Sequence, residues 1–149
     1  MASVVVGIDG SEAARAALKW AADEAKLRGS SLRVVHTWSH PYAVSGPNPQ
    51  PERPQVDEED TERRFAEELL ERELAATGVE VTGVPIEPEL VEGPPAKTLL
   101  DAAQHAELLV IGSDRHPRLV DNPLGRVGRE CVQHSPCPVV IVRLTALHD

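Results

Sequence analysis

Residues 4–11 read Val-Val-Val-Gly-Ile-Asp-Gly-Ser, and this stretch decides the fold class. Its apolar part, residues 4–8, is typical of a buried strand, and the polar turn that follows breaks the strand. A helical pattern comes next, with Ser11 as a natural N-cap and Gly29 as a natural C-terminal stop. The inward face of this helix is built from small residues, which suits a helix that lies close to a sheet: Ala14, Ala17, Leu18, Ala21, Ala22 and Ala25.

Four further segments have the pattern of strands. Three lie at residues 32–38, 108–112 and 138–142, and the last two of these are largely apolar. The fourth, at residues 79–91, carries two prolines, which cannot donate to a ladder, and is therefore predicted to be an edge strand. Residues 39–56 contain five prolines, and this density predicts a loop rather than a regular element.

Three more helices separate these strands. The first is acidic and ends at Gly78, the second opens at Gly93-Pro94-Pro95, and the third starts near Gly125. Apolar residues at helical spacing predict the inward faces of the first two: Phe65, Ala66, Leu69, Leu70 and Leu74 in one, and Ala96, Leu99, Leu100 and Ala103 in the other.

Alternating strands and helices predict a doubly wound, five-stranded parallel α/β sheet with helices on both faces. Ligands of such sheets bind beyond the carboxyl ends of the strands, at the switch point of the strand order. In the order 3-2-1-4-5, the turns after the first and fourth strands are neighbours there. We therefore expect Asp9-Gly10-Ser11 and Gly112-Ser113 to meet in one crevice of a single domain over residues 1–149.

The net charge of −9 argues against nucleic-acid binding and against docking on an anionic membrane. Residues 57–73 hold nine acidic and three basic residues, so this helix alone carries −6 of that charge. A solvated helix face explains such a run, and a docking surface for a basic partner is the alternative. Without a signal-peptide pattern, an apolar span of membrane length or a disulfide framework, the chain is expected to be cytoplasmic.

No catalytic or metal site is predicted. The chain lacks a complete phosphate loop of the GxxxxGK type, a GxGxxG fingerprint and a GxSxG elbow. Its six histidines show no metal-ligand spacing, either with one another or with the two cysteines. Cys131 and Cys137 are expected to be inert, partly buried thiols.

Five segments together resemble the universal stress protein family, in order and over nearly the whole chain: Val6-Gly-Ile-Asp-Gly-Ser11, Ala17-Leu-Lys-Trp-Ala21, Val34-Val-His-Thr-Trp38, Leu109-Val-Ile-Gly-Ser113 and Cys131-Val-Gln-His-Ser-Pro-Cys-Pro-Val139. The resemblance implies a Rossmann-like sheet of the adenine nucleotide alpha hydrolase type. It also implies a cytoplasmic homodimer that pairs through the last strand, Val139–Val142. Some members of the family bind ATP and others do not.

The ATP-binding members carry Gly, two residues, Gly, nine residues, and then Gly followed by Ser or Thr. Here Gly112 and Gly125 match the first and third positions, whereas Arg115 and Arg126 stand at the other two. The resemblance implies that Asp9 contacts the nucleoside and that the stretch around Val35 and His36 touches the adenine. With Gly10, Ser11 and Ser113, these positions form the predicted nucleotide site.

The two arginines leave the function open between alternatives. Arg115 forfeits the positive φ and the close phosphate approach that glycine permits, and Arg126 replaces a hydroxyl. Arginine nevertheless binds phosphate bidentately, so these side chains could hold ATP or AMP, with the need for Mg²⁺ left open. They could instead block the crevice, leaving a dimeric interaction module that binds no nucleotide. They could also pair with neighbouring acids at the surface, or hold another anion.

Two further questions stay open at the level of the sequence. Asp9 could be a turn residue that caps backbone N–H groups instead of binding a ligand. A slow ATPase is the remaining alternative, although no fast catalysis is predicted.

Overall fold

The computed structural model describes residues 2–39, 57–114 and 125–144. The strands are β1 (Ser3–Ile8), β2 (Ser31–Trp38), β3 (Ile86–Glu92), β4 (Leu108–Asp114) and β5 (Val139–Leu144). The helices are α1 (Glu12–Arg28), α2 (Asp57–Thr77), α3 (Pro95–Ala102) and α4 (Gly125–His134), and a 3₁₀ turn covers Val79–Val81. The predicted loop at 39–56 lies outside the described residues except for Ser39, and so does Arg115.

The five strands form one sheet in the order β3-β2-β1-β4-β5, and every neighbouring pair is parallel. This confirms the predicted fold class and strand order. Alternate residues of β1 face opposite sides of the sheet. Val4, Val6 and Ile8 join the core beneath α1 and α2, while Val5 joins the core on the other face.

Helix α1 packs on the sheet as its alanine pattern predicts. Ala17, Leu18 and Ala21 are fully buried against the sheet. The Ser11 Oγ accepts a hydrogen bond from the Ala14 N–H at 3.1 Å, which confirms the predicted N-cap. Gly29 ends the helix in the left-handed conformation, at φ 69°.

Strand β3 occupies one edge of the sheet, but it begins only at Ile86 because a 3₁₀ turn takes up residues 79–81. The Leu32 N–H donates to the Pro85 carbonyl at 2.8 Å, which sets the alternation of the β2–β3 ladder. By that alternation the nitrogen of Pro88 faces away from β2, where no ladder bond is lost. The edge-strand prediction is therefore confirmed for the second half of the segment.

The inward face predicted for α2 is wrong at Phe65, whose surface is 62% exposed, whereas Ala66, Leu70 and Leu74 are buried. The sequence pattern also missed Glu73, which is only 1% exposed. Its carboxylate accepts two hydrogen bonds from the Arg15 guanidinium on α1, at 2.7 and 2.9 Å. A charge can occupy this buried position because the bidentate pair compensates for its lost hydration.

Candidate functional site

A crevice of about 310 Å³ opens at the carboxyl ends of β1, β2 and β4, where the strand order reverses. This is the position predicted for a ligand of a doubly wound sheet. The crevice is lined by residues from six elements and the turns between them: Gly7, Ile8, Asp9, Ser11, Ala14, Val35, His36, Thr37, Pro95, Leu99, Ile111, Gly112, Gly125, Arg126, Val127 and Gly128. Seven of the ten predicted site residues are among them.

The turn between β1 and α1 forms the acidic side of the crevice. Asp9 is exposed, and its Oδ1 accepts a hydrogen bond from the Ser11 N–H at 3.0 Å. Asp9 therefore caps the turn, and it also lines the crevice, so the two sequence interpretations are compatible. Its Oδ2 has no partner within the described part of the chain. Gly10 holds the turn at φ 88°, and a Cβ added there would lie 3.1 Å from the Leu69 side chain of α2. Gly10 lies outside the lining of the crevice.

His36 is buried at the end of β2, and its Nδ1 lies 3.1 Å from the Ile8 carbonyl oxygen. A carbonyl oxygen only accepts, so Nδ1 carries a proton, and in the tautomer that this bond requires Nε2 is free to accept. The bond ties β2 to the last residue of β1, directly before Asp9. The neighbouring Val35 is buried in the core on the α3 and α4 side, while Thr37, which sequence reasoning missed, also lines the crevice.

Gly112 is required for a reason that the sequence did not reveal. The motif suggested that glycine is needed to allow a positive φ and a close approach of phosphate. Gly112, however, is not among the glycines with positive φ. A Cβ built on Gly112 would overlap the backbone of Ala13, with its carbonyl carbon at 2.5 Å, and would approach the Ala14 nitrogen to 3.0 Å. The missing side chain therefore lets the first turn of α1 approach β4. The next residue, Ser113, is buried and lies outside the lining.

The start of α4 forms the basic side of the crevice. Gly125 takes the left-handed conformation at φ 73°, which is the role expected of a glycine here. Arg126 follows it, is exposed, and lines the crevice together with Val127 and Gly128. The described residues leave the crevice open, with Arg126 at its wall.

The wall on the α3 side is apolar and comes from Pro95 and Leu99. The sequence placed Pro95 at the start of the helix and assigned Leu99 only to the core. A Cβ on Gly7 would lie 2.9 Å from both Leu99 methyl carbons, so the Leu99 side chain of α3 packs directly on the backbone of β1. Pro95 begins the helix, and its position after Gly93-Pro94 was the only sequence indication that α3 starts near the site.

The described residues also give information on metal-binding groups, membrane-crossing helices and the Cys131 thiol. Among residues 2–39, 57–114 and 125–144, no group of three or more His, Cys, Asp or Glu side chains is placed to hold a metal ion. None of the helices described is long and apolar enough to cross a membrane. Cys131, on the inward face of α4, is fully buried, and burial raises the pKa of its thiol to about 11, as expected for an inert thiol.

A sequence model of the universal stress protein family matches residues 1–143. The chain belongs to the universal stress protein family. The match covers almost the whole chain and agrees with the five resembling segments and with the observed sheet order.

Individual universal stress proteins are similar to the chain at moderate identity. The universal stress protein Rv2005c of Mycobacterium tuberculosis is 33% identical over 139 residues, which are 93% of this chain and 47% of that protein. The chain thus spans about half the length of the curated relatives it matches.

Solved structures of the family superpose over most of the chain. A universal stress protein from Archaeoglobus fulgidus is 26% identical, with a TM-score of 0.68 over 95% of this chain and 93% of that one. The Archaeoglobus fulgidus protein in complex with dAMP is also 26% identical, with a TM-score of 0.63 over 95% and 98% of the two chains.

Proposed function

We propose that this universal stress protein domain binds an adenine nucleotide, ATP or AMP, and acts as a sensing module without fast catalysis. The observation that carries the proposal is the crevice at the switch point, which has an acidic side at Asp9, a basic side at Arg126 and apolar walls between them. Its volume of about 310 Å³ falls within the range of small-molecule sites. The Archaeoglobus fulgidus relative in complex with dAMP adds support, since its fold covers the same residues.

Each side of the crevice suits one part of the nucleotide. The open Oδ2 of Asp9 would accept hydrogen bonds from ribose hydroxyls. The backbone from Val35 to Thr37, with Nε2 of His36 as an acceptor, would read the edge of the adenine, and Leu99 would pack on the ring.

The phosphate side would be formed by Gly112, Gly125 and Arg126. Gly10 and Ser11 would support this site from the turn after β1, and Ser113 would support it from the end of β4. Arg115 is proposed to reach the phosphates, in keeping with the sequence prediction. These roles assign binding rather than bond-breaking to every residue.

Asp9→Asn tests the ribose contact without breaking the turn. The amide oxygen can still accept from the Ser11 N–H, but an NH₂ group replaces the open carboxylate oxygen and cannot accept. A charged hydrogen bond is worth about 1.5–3 kcal/mol, so adenosine and AMP should bind at least tenfold more weakly in calorimetry. Asp23→Asn is the matched control, since Asp23 is an exposed acid on α1 outside the crevice.

The wild-type titration decides between this proposal and the alternative. No heat and no thermal shift with adenosine, AMP, ADP or ATP at millimolar concentration would refute nucleotide binding. The domain would then be an interaction module with a crevice that nucleotides cannot use, as the arginines at 115 and 126 also allow.

We also propose that the domain forms a homodimer through β5. This strand is the second edge of the sheet, and its residues Val139–Val142 are apolar and only partly buried. Such an edge favours pairing with another strand. Light scattering at micromolar concentration should give twice the mass of the chain, and a monomeric mass would contradict the proposal.

A further inference from the structure

Helix α3 forms an apolar wall of the crevice, yet it is short and has no side-chain cap. It has eight residues, and its N-cap, Pro94, makes no side-chain capping bond. Its Pro95 and Leu99 line the crevice, and Leu99 packs on the backbone of β1 at Gly7. A helix of about two turns is not stable by itself, so its position depends on the contacts that it makes with its neighbours.

The last turn of α3 is joined to the sheet by the Arg33 guanidinium of β2. Nη1 of Arg33 donates a hydrogen bond to the Ala102 carbonyl oxygen at 2.9 Å. Nε and Nη2 donate to the two carboxylate oxygens of Glu89 on β3, at 2.7 and 3.0 Å. One planar side chain therefore connects three elements, β2, β3 and α3, with three hydrogen bonds.

The Arg33 guanidinium is well suited to hold the end of a helix. The bidentate bond to Glu89 fixes its plane and leaves the remaining nitrogen for the helix. Ala102 is the last residue of α3, so its carbonyl oxygen has no partner within the helix, and a cation there also complements the helix dipole. The Arg33 side chain is only 24% exposed, and the partial loss of water strengthens these bonds.

Arg33 acts at a distance from the crevice. It is not among the described residues that line the crevice, and it lies with Glu89 in a separate groove of about 440 Å³ between β3 and α3. Leu99, however, is only one helical turn before Ala102, and Pro95 is about one turn further. Because a helix moves as a rigid unit over so few residues, the position of its last turn sets the position of the crevice wall.

We infer that Arg33 is a positioning residue for the crevice: it holds α3, and with it the apolar wall, at the distance from β1 that a bound ring requires. This inference rests on the proposed nucleotide binding and adds a residue that acts on the site without contacting the ligand. It also couples the β3 edge of the sheet to the crevice.

Arg33→Met tests the inference, because methionine keeps much of the aliphatic stem and removes every donor. Glu89 then faces the groove, where water can hydrate its carboxylate, so the domain should still fold. In calorimetry, adenosine and AMP should bind about threefold to thirtyfold more weakly, as expected for a residue that acts on a site through an intervening element. Arg33→Lys should recover part of this affinity, since an ammonium keeps the charge but lacks the planar fork.

Arg28→Met is the matched control. Arg28 is also bound to carboxylates, those of Glu24 and Glu107, at 2.8 and 3.3 Å. It is the last residue of α1, about 24 Å along the helix axis from the end that borders the crevice. The two variants make the same change in net charge, but Arg28→Met should leave the affinities for adenosine and AMP unchanged. Urea denaturation of both variants shows whether the loss of affinity follows stability.

Amide hydrogen exchange gives a readout that needs no ligand. The Ala103 N–H, which donates to the Leu99 carbonyl at 2.9 Å, reports on the last turn of α3. In Arg33→Met this amide should exchange about tenfold faster than in the wild type, because a charge-assisted hydrogen bond no longer holds the turn. The amides of β1 are the internal reference, since a general loss of stability would accelerate their exchange as well.

The outcomes separate this inference from the proposed function. If the wild type binds adenosine or AMP and Arg33→Met binds them equally well, the inference is overturned while nucleotide binding stands. An equal loss of affinity in Arg28→Met also overturns it, because the effect would then follow charge or stability. If the wild type binds neither adenosine nor any nucleotide, nucleotide binding is refuted, and the exchange rates alone decide whether Arg33 positions α3.

Discussion

Replacing Gly112 by alanine adds one methyl group at the closest approach between helix and sheet. The added Cβ would overlap the Ala13 carbonyl group and lie 3.0 Å from the Ala14 nitrogen, so it meets backbone rather than a movable side chain. Overpacking costs about 1–3 kcal/mol, and relief here requires the first turn of α1 to move away from β4. We therefore expect Gly112→Ala to lose about 3 kcal/mol of unfolding free energy.

Alanine variants of two other glycines provide a comparison for this loss of unfolding free energy. At Gly7 the added Cβ would lie 2.9 Å from the Leu99 methyl groups, which can rotate away, so Gly7→Ala should cost about 1–2 kcal/mol. At Gly29 nothing lies within 4 Å, and only the left-handed conformation at φ 69° is strained. Gly29→Ala should therefore cost about 1 kcal/mol.

Urea denaturation and calorimetric melting measure the loss of unfolding free energy in each variant, which should be largest for Gly112→Ala, smaller for Gly7→Ala and smallest for Gly29→Ala. For a domain of this size, 3 kcal/mol corresponds to a fall in Tm of about 6–12 °C. A Gly112→Ala variant as stable as Gly7→Ala would refute the argument, because it would show that the helix backbone yields as readily as a leucine side chain.

Two further expectations concern buried groups. Arg15→Met should lower the free energy of unfolding, because among the described residues it leaves the buried Glu73 carboxylate with only Arg72, at 3.9 Å. Glu73→Gln should cost less, about 1–2 kcal/mol, because the half-exposed Arg15 regains water; the opposite order in urea titrations would contradict this. In native protein at pH 8.5, a maleimide should label Cys137 and spare Cys131, whose thiol is buried with a pKa of about 11; mass spectrometry showing equal labelling would disprove it.

The fold was predictable because several independent sequence signals indicate the same strands and helices. The apolar run at residues 4–8, the Ser11 cap and the Gly29 stop each fix one boundary, and all three agree with the structure. Phe65 was assigned to the wrong face because an apolar residue at helical spacing does not say how far the buried stripe extends. Glu73 could not be found at all, since its partner Arg15 is 58 positions away in the sequence.

The site was predictable only in outline. The strand order places the end of the fourth strand beside the turn at Asp9, and the structure lines one crevice with Asp9 and Gly112. The expected turn at Gly112-Ser113 was wrong, because β4 continues to Asp114. Helical spacing could not show that Leu99 is a crevice wall as well as a core residue, because both roles require the same apolar side chain. Nor could a motif show why Gly112 is glycine, since the atoms that exclude a side chain belong to the backbone of another element.

The two edges of the sheet have different consequences for self-association. At the β3 edge, Pro88 interrupts the outward row of N–H groups, and the exposed Glu87 adds charge beside it. At the β5 edge, Val139–Val142 carry apolar side chains, and no proline interrupts their row of backbone N–H groups. Pairing at β5 would join two copies and leave only β3 edges at the outside, where proline and acids discourage another strand. Growth of the sheet would therefore terminate at two copies instead of propagating into a fibre.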